Sequence, residues 1–242
     1  MSPTINYRLK NGTPVSGVTT ILGAILNKPA LIPWAFTQGM ENCERLSRAV
    51  LQAVADGNGL EDVLRTVRGF QSSKLYEKRD KAADAGTLGH LLVEHDLKGF
   101  PEPDMTDVPP DTKAKAEGCY LAFLEWKERT KFKLIHSEIA LVSEVYKFGG
   151  CLDIGGGVTD LELIDLKTSK AIYQNMWFQV AAYGILWDEI HPDNPIKGYN
   201  ILRIGPDGDF GHERRISLPD EKEVFLLVNS IHQILKRKGI KL

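Results

Sequence analysis

Three residues in the middle of the chain, Asp153, Asp165 and Lys167, stand within GGCLDIGGGVTDLELIDLKTSK, Gly149 to Lys170, and raise the first chemical question. Side chains alternate along a strand, so in LELIDLK the residues Asp165 and Lys167 share one face while Ile164 and Leu166 share the other. A hairpin folded about residue 159 brings Asp153 opposite Asp165, and directly paired residues lie about 4.5–5.5 Å apart. Two carboxylates at that distance repel unless a cation joins them, and oxygen ligands suit Mg²⁺ or Mn²⁺. Asp, a hairpin, then Asp-x-Lys is therefore the pattern of a divalent metal site with an ammonium beside it. The plain alternative is a surface hairpin with solvated charges and one salt bridge.

The glycines suggest a second chemistry. DIGGGVTD is similar to the first phosphate loop of the actin and heat-shock class of ATPases, in which a strand, glycines and a Thr wrap a nucleotide phosphate. That fold also requires a second phosphate loop and an adenosine loop, and neither is found here. A Walker loop is absent, as is a strand-anchored GxGxxG with its downstream acid.

The elements that would hold these residues can be read from periodicity. LIPWAFTQGMENCERLSRAVLQAVA, GLEDVLRTVRGF and SKLYEKRDKAADAGTLGHLLVEHDLKG have helical spacing, the last interrupted at Gly86. After the Pro- and Asp-rich loop GFPEPDMTDVPPD comes another helix, TKAKAEGCYLAFLEWKERTK. Short runs rich in Ile, Leu and Val follow, FKLIHSEIALVSEVYKFGG, CLDIGG and DLELIDLKTS, the pattern of a strand meander. QNMWFQVAAYGILWDEI reads as a helix, and GYNILRIGPDGDFGHERRISL as a hairpin around Gly-Pro-Asp-Gly. In the last helix Val224, Leu227, Val228, Ile231 and Leu235 are expected to face the sheet. The expectation is an α/β (α+β) fold, with a small mixed central sheet flanked by helices. One domain over 1–242 is expected, residues 1–131 a mainly helical lobe and 132–242 the sheet core with its hairpin and C-terminal helix.

The order of the polar residues resembles the PD-(D/E)XK nuclease superfamily, in its RecB-like exonuclease branch. GTLGH ends at His90, GGCLD at Asp153 and DLK at Lys167, and QVAAY runs from Gln179 to Tyr183, all in the order that branch shows. The N-terminal SGVTTILG looks like the opening of phage exonucleases and of the mitochondrial genome maintenance exonuclease. The resemblance implies a restriction-endonuclease-like core and a Mg²⁺- or Mn²⁺-dependent deoxyribonuclease. It implies that His90, Asp153, Asp165 and the Leu166 carbonyl hold the metal and that Lys167 orients the attacking water. Gln179 and Tyr183, one helical turn apart, would face the active site and the DNA backbone. Glu138 is a secondary candidate at a strand position where the family often carries an acid. The implied substrate is DNA, single-stranded or with free ends, in phage or recombination and repair processing, with a recombination or replication protein as a further partner. A catalytically silent nucleic-acid-binding protein on the same fold is the alternative.

Each of these residues also has an ordinary reading. His90 and Glu94 could be a helix-surface pair at i and i+4, and Tyr183 could be core. Trp126, Trp177 and Trp187 are expected in the core, whereas Trp34 is the candidate for base stacking. Lys74, Lys78, Arg79 and Lys81 form a basic stretch that could touch phosphates, as could Arg203, Arg214 and Arg215; a solvated face explains such runs equally well. A formal net charge of −2 exerts no global pull on nucleic acid. The three cysteines, Cys43, Cys119 and Cys151, are too scattered for a metal knuckle and are expected to be reduced and buried. Four flanking cysteines would be needed for the iron-sulfur cluster of some relatives, so no cluster is expected. No apolar run reaches membrane-spanning length, the N-terminus MSPTINYRLKNG has no signal-peptide character, and a cytoplasmic location is the expectation.

Overall fold

The strand-like runs of the middle third and the GYNILRI and FGHERR segments join in one six-stranded mixed sheet in the computed structural model. The structure describes residues 6–26, 31–69, 73–158 and 160–240, with backbone alone at 31–36, 38, 42, 66, 68–69 and 73–83. The elements are β1 (Ser16–Gly17), α1 (Val18–Ile25), α2 (Leu31–Ala55), α3 (Leu60–Gly69), α4 (Ser73–Lys98), α5 (Pro110–Thr130) and β2 (Lys133–Ser143), then β3 (Phe148–Gly157), β4 (Glu162–Lys167), α6 (Gln174–Ile190), β5 (Gly198–Ile204), β6 (Phe210–Arg215) and α7 (Pro219–Lys238). Strand order is β1-β3-β4-β5-β6, with β2 also paired to β3. The β1–β3 and β4–β5 pairs are parallel and the others antiparallel. No helix among the described residues is long and apolar enough to cross a membrane.

Local sequence sets the element ends. Pro110 opens α5 with Asp111 in its first turn, and Lys131 closes it in the left-handed region at φ 55°, matching proline tolerance and acid preference at helix N-termini. Pro219, Asp220 and Glu221 open α7, and Gly239 at φ 68° stops it. Helix α4 runs through Gly86 without the expected interruption.

The chain divides into two compact units, Met1–Leu26 with Asp84–Leu242, and Asn27–Ala83. In the smaller unit α2 packs on α3. The division differs from a helical lobe ending at 131, because α1, α5 and the end of α4 belong with the sheet. The larger unit is layered. On one sheet face Val18, Ile21, Trp177, Tyr183, Leu186 and Phe225 from α1, α6 and α7 cover Leu163 and Ile201. On the other face Val93, Phe123 and Trp126 cover Ile154, Ile164, Leu166 and Leu202. Burial on both faces explains why β4 and β5 read as near-continuous apolar runs. Helix α7 packs mainly on α6 and α1, reaching the sheet through Phe225 on Phe148 with ring centroids 4.8 Å apart. Contrary to expectation, Leu227 and Ile231 face solvent. The expected core tryptophans 126, 177 and 187 are buried. Of the free cysteines Cys119 is buried, Cys151 is partly buried and Cys43, against expectation, is exposed.

Candidate active site

The glycine run is strand, not loop. Gly155, Gly156 and Gly157 lie within β3, and a Cβ on Gly156 would come 2.4 Å from the Lys133 carbonyl oxygen. Gly156 is small because β2 and Phe132 press on it, which leaves no open backbone nest for a phosphate.

β3 and β4 pair as Ile154↔Ile164, Gly155↔Leu163 and Gly156↔Glu162. That register continued would set Asp153 opposite Asp165, but the ladder ends at Ile154. The Leu166 N–H donates instead to Asp153 Oδ2 at 2.9 Å. β3 is also kinked here. Leu152 packs on the α6 side and Ile154 on the α5 side, although residues two apart in a regular strand share a face. Across from the switch Glu138 sits in the middle of β2 with φ 53°, and the β2–β3 register omits the Glu138–Asp153 pair. Among the described residues the other two non-glycine positions with positive φ, Lys131 and Lys147, lie at a helix end and in a turn. Mid-strand strain of this kind re-aims side chains; the register shift of the β2–β3 pair itself lies between Leu134 and His136.

Asp165 is fully buried, and its Oδ1 has no hydrogen-bond partner. Lys167 Nζ stands 2.5 Å from Asp165 Oδ2 as an ion pair. Burial pushes the Asp165 carboxyl up to about 6; Lys167 opposes the rise and Asp153 adds to it. Burial likewise raises Asp153, against Lys167 and the Leu166 N–H. Burial draws the Lys167 ammonium down, but Asp165 and Asp153 outweigh it and the net shift is upward. His90 feels the same charges: burial, then Lys167, lower it to about 4, and Asp165 resists. His90 thus belongs to this cluster, not to Glu94, which pairs with Lys98 at 2.5 Å. Gln179 Nε2 donates to the Tyr183 hydroxyl at 2.7 Å, and burial, then Asp153 and Asp165, hold Tyr183 well above the usual tyrosine range.

Gly86 seats His90. A Cβ there would stand 2.5 Å from Thr168 Oγ1, just past the end of β4, so the bare glycine lets α4 approach the strand carrying Asp165 and Lys167. His90 follows one turn later. Glu138 stands near enough to Asp153 to feel its charge. Desolvation, then the Asp153 charge, raises its carboxyl to about 7, and Cys151 Sγ donates to Glu138 Oε2 at 3.3 Å. Tyr7 had no signal in the sequence. A Cβ on Gly149 would lie 2.3 Å from the Tyr7 ring, and burial, then Cys151 and Glu138, push the phenol up to about 12.

The structure thus brings His90, Asp153, Asp165, Lys167, Gln179 and Tyr183 together, with Glu138 beside them. The side chains of Trp34, Lys74, Lys78, Arg79 and Lys81 lie outside the described residues. The second-hairpin arginines are engaged: Arg203 with Asp209, Arg214 with Glu162 and Arg215 with Glu221. Arg215 also lies 4.1 Å from the Trp177 ring centroid. These ion pairs fix the sheet edge, so no phosphate is needed to account for them.

Two buried carboxylates facing one ammonium, with Asp165 Oδ1 unpartnered, leave unmet negative charge, and this donor set suits a hard divalent cation. Among the described residues no three His, Cys, Asp or Glu side chains converge as a ready metal cage; Lys167 already occupies the near side of Asp165.

No protein-family model matches the chain, and no curated protein matches it. Among solved structures it is similar to a candidate exonuclease from Eubacterium rectale, with TM-score 0.45 and 13% identity over 64% of this chain and 68% of that one. It is also similar to the alkaline exonuclease LHK-Exo from Laribacter hongkongensis, with TM-score 0.32 and 16% identity over 66% of this chain and 90% of that one. LHK-Exo has also been solved in complex with dAMP. These are resemblances of outline, and function rests on the site.

Proposed function

We propose that this protein is a metal-dependent deoxyribonuclease of the PD-(D/E)XK type that hydrolyses phosphodiester bonds, acting on single strands or DNA ends. The observation that carries the reading is Asp165: buried, with Oδ1 unpartnered and Oδ2 against Lys167, and raised by the neighbouring Asp153 charge. A fold does not hold an under-satisfied carboxylate in its core for stability. Asp153, Asp165 and His90, with the Leu166 carbonyl, would hold a Mg²⁺ or Mn²⁺ ion. Such an ion, when bound, supplies a hydroxide at neutral pH and neutralises charge on the phosphoryl oxygens. His90, kept neutral by its low pKa, presents a lone pair. Lys167 remains protonated and places positive charge where the attacking water loses its proton. The Gln179–Tyr183 pair closes the α6 side of the cluster as a hydrogen-bond donor to a phosphate.

The absence of three converged ligands among the described residues favours a second reading, a catalytically silent nucleic-acid-binding protein on the same fold. One experiment separates the two. End-labelled single-stranded, duplex and circular DNA are incubated with Mg²⁺, Mn²⁺ or EDTA and with wild type, Asp165→Ala or Lys167→Ala. Metal-dependent shortening of linear DNA that both substitutions abolish, with circles intact, is the expected result. Binding without cleavage under every metal gives the protein to the second reading.

A further inference from the structure

Helix α7 carries an apolar stripe on its solvent side. Leu227, Ile231 and Ile234 are 59%, 47% and 48% exposed, spaced i, i+4 and i+7, while Phe225 and Val228 point inward. At 3.6 residues per turn Glu223, Ser230 and Lys238 fall within the same arc of about 100°. The stripe is therefore bounded by an acid at the start of the helix and a base at its end. Neither Glu223 nor Lys238 has an ion-pair partner among the described residues.

The order of these residues is self-complementary. About the point midway between Ser230 and Ile231, Leu227 mirrors Ile234 and Glu223 mirrors Lys238. Two copies of α7 laid antiparallel would thus set apolar against apolar and acid against base at both ends. Ser230 falls at the centre, where a small side chain admits close approach. Its hydroxyl already donates to the Leu226 carbonyl at 2.8 Å, so drying that point orphans no polar group. We propose that this stripe is a self-docking face whose occupant is the α7 of a second copy of this chain, related by a two-fold axis between Ser230 and Ile231. The proposal is independent of the nuclease reading. One helix pair covers less than the roughly 800 Å² per partner of a standard interface, so the dimer is weak and concentration-dependent.

Sedimentation equilibrium tests it, across about 1 to 500 μM protein, a range that spans weak dissociation constants. Wild type is expected to pass from monomer to dimer. Ile231→Glu, which sets two carboxylates together at the axis, is expected to stay monomeric with an unchanged melting curve. Glu223→Lys and Lys238→Glu should each weaken association at least tenfold, and the double exchange should restore it, because acid again meets base. A wild type monomeric throughout, a dimer indifferent to Ile231→Glu, or a double exchange no better than its single components would each overturn the proposal. Capture of a different protein by monomeric wild type but not by Ile231→Glu would reassign the stripe to that partner and overturn it as well.

Discussion

Asp165 and Lys167 make opposite demands on the folded state, and substitutions should separate them. With both aspartates ionised, the buried cluster carries one more negative charge than positive. Asp165→Asn removes the excess and leaves Asp153 facing Lys167, so it should raise the melting temperature while abolishing cleavage. Lys167→Met strands two buried carboxylates and should cost about 3–5 kcal/mol at neutral pH, also abolishing cleavage. Urea denaturation of the two variants reads these signs, and equal destabilisation would refute the charge count. The pH dependence follows. The folded Asp165 carboxyl is raised to about 6, above its ordinary value near 3.9, so between these limits the folded state takes up the proton first. Its contribution to stability therefore rises as pH falls through that window. The difference between wild-type and Asp165→Asn stability profiles should show that rise, and parallel profiles would exclude it. Glu138 supplies a third test. Its left-handed backbone suits Gly better than any residue with a Cβ, so Glu138→Gly should be more stable than Glu138→Ala by about 1 kcal/mol. Both variants lack the carboxylate, and equal stability would mean that the strain is absent in solution.

At the scale of elements, the approach of α4 to β4 decides whether His90 reaches the carboxylates. Gly86→Ala adds a methyl 2.5 Å from Thr168 Oγ1. Alanine is the better helix former by about 1 kcal/mol, so the substitution favours the helix and opposes its docking. Cleavage should fall at least tenfold. Thr168→Ala removes the obstructing oxygen, leaving the next contact at 3.4 Å, and the double substitution should recover most of the activity that Gly86→Ala loses. Steady-state rates for both single variants and the double variant decide it, with no recovery ruling out the steric account. Element identity was largely legible in the sequence, since periodicity marks α2, α5, α6 and both hairpins. The candidate grouping was legible because its order along the chain is distinctive. Three features were not. A Glu in left-handed conformation has no sequence signature, because residue type predicts φ only where Gly or Asn stands. Gly149 takes its size from Tyr7, a contact too distant in sequence for local patterning to register. The register of Asp153 was read one step too far, because its carboxylate caps the Leu166 N–H where the ladder would have continued.

At the scale of the molecule, what counts is which helices belong to the sheet. All of His90, Glu138, Asp153, Asp165, Lys167, Gln179 and Tyr183 fall within the unit formed by Met1–Leu26 and Asp84–Leu242. A boundary at residue 131 would have placed α5 outside this unit, yet α5 supplies Phe123 and Trp126, 0% and 2% exposed, to the core under Ile164 and Leu166. Trp126 also donates to His212 Nδ1 at 3.3 Å, and His212 Nε2 meets Asn200 Oδ1 at 2.9 Å, so the helix is tied to β5 and β6 by polar bonds as well as packing. Trp126→Ala should cost about 3–5 kcal/mol. Asn27–Ala83 is a different case, since it forms its own compact unit. Replacing it with a Gly/Ser linker of about 20 residues, whose average reach is about 25 Å, should leave one cooperative thermal transition that still rises on adding Mn²⁺. The remaining piece of α4, from Asp84, would be held by Val93 in the core rather than by its own short length. Calorimetry with and without Mn²⁺ distinguishes the outcomes. A cooperative, cation-sensitive transition would mean that the sheet unit builds the site alone. Loss of cooperativity would mean that the α2–α3 unit completes the fold and that the contact-based division does not mark an energetic boundary.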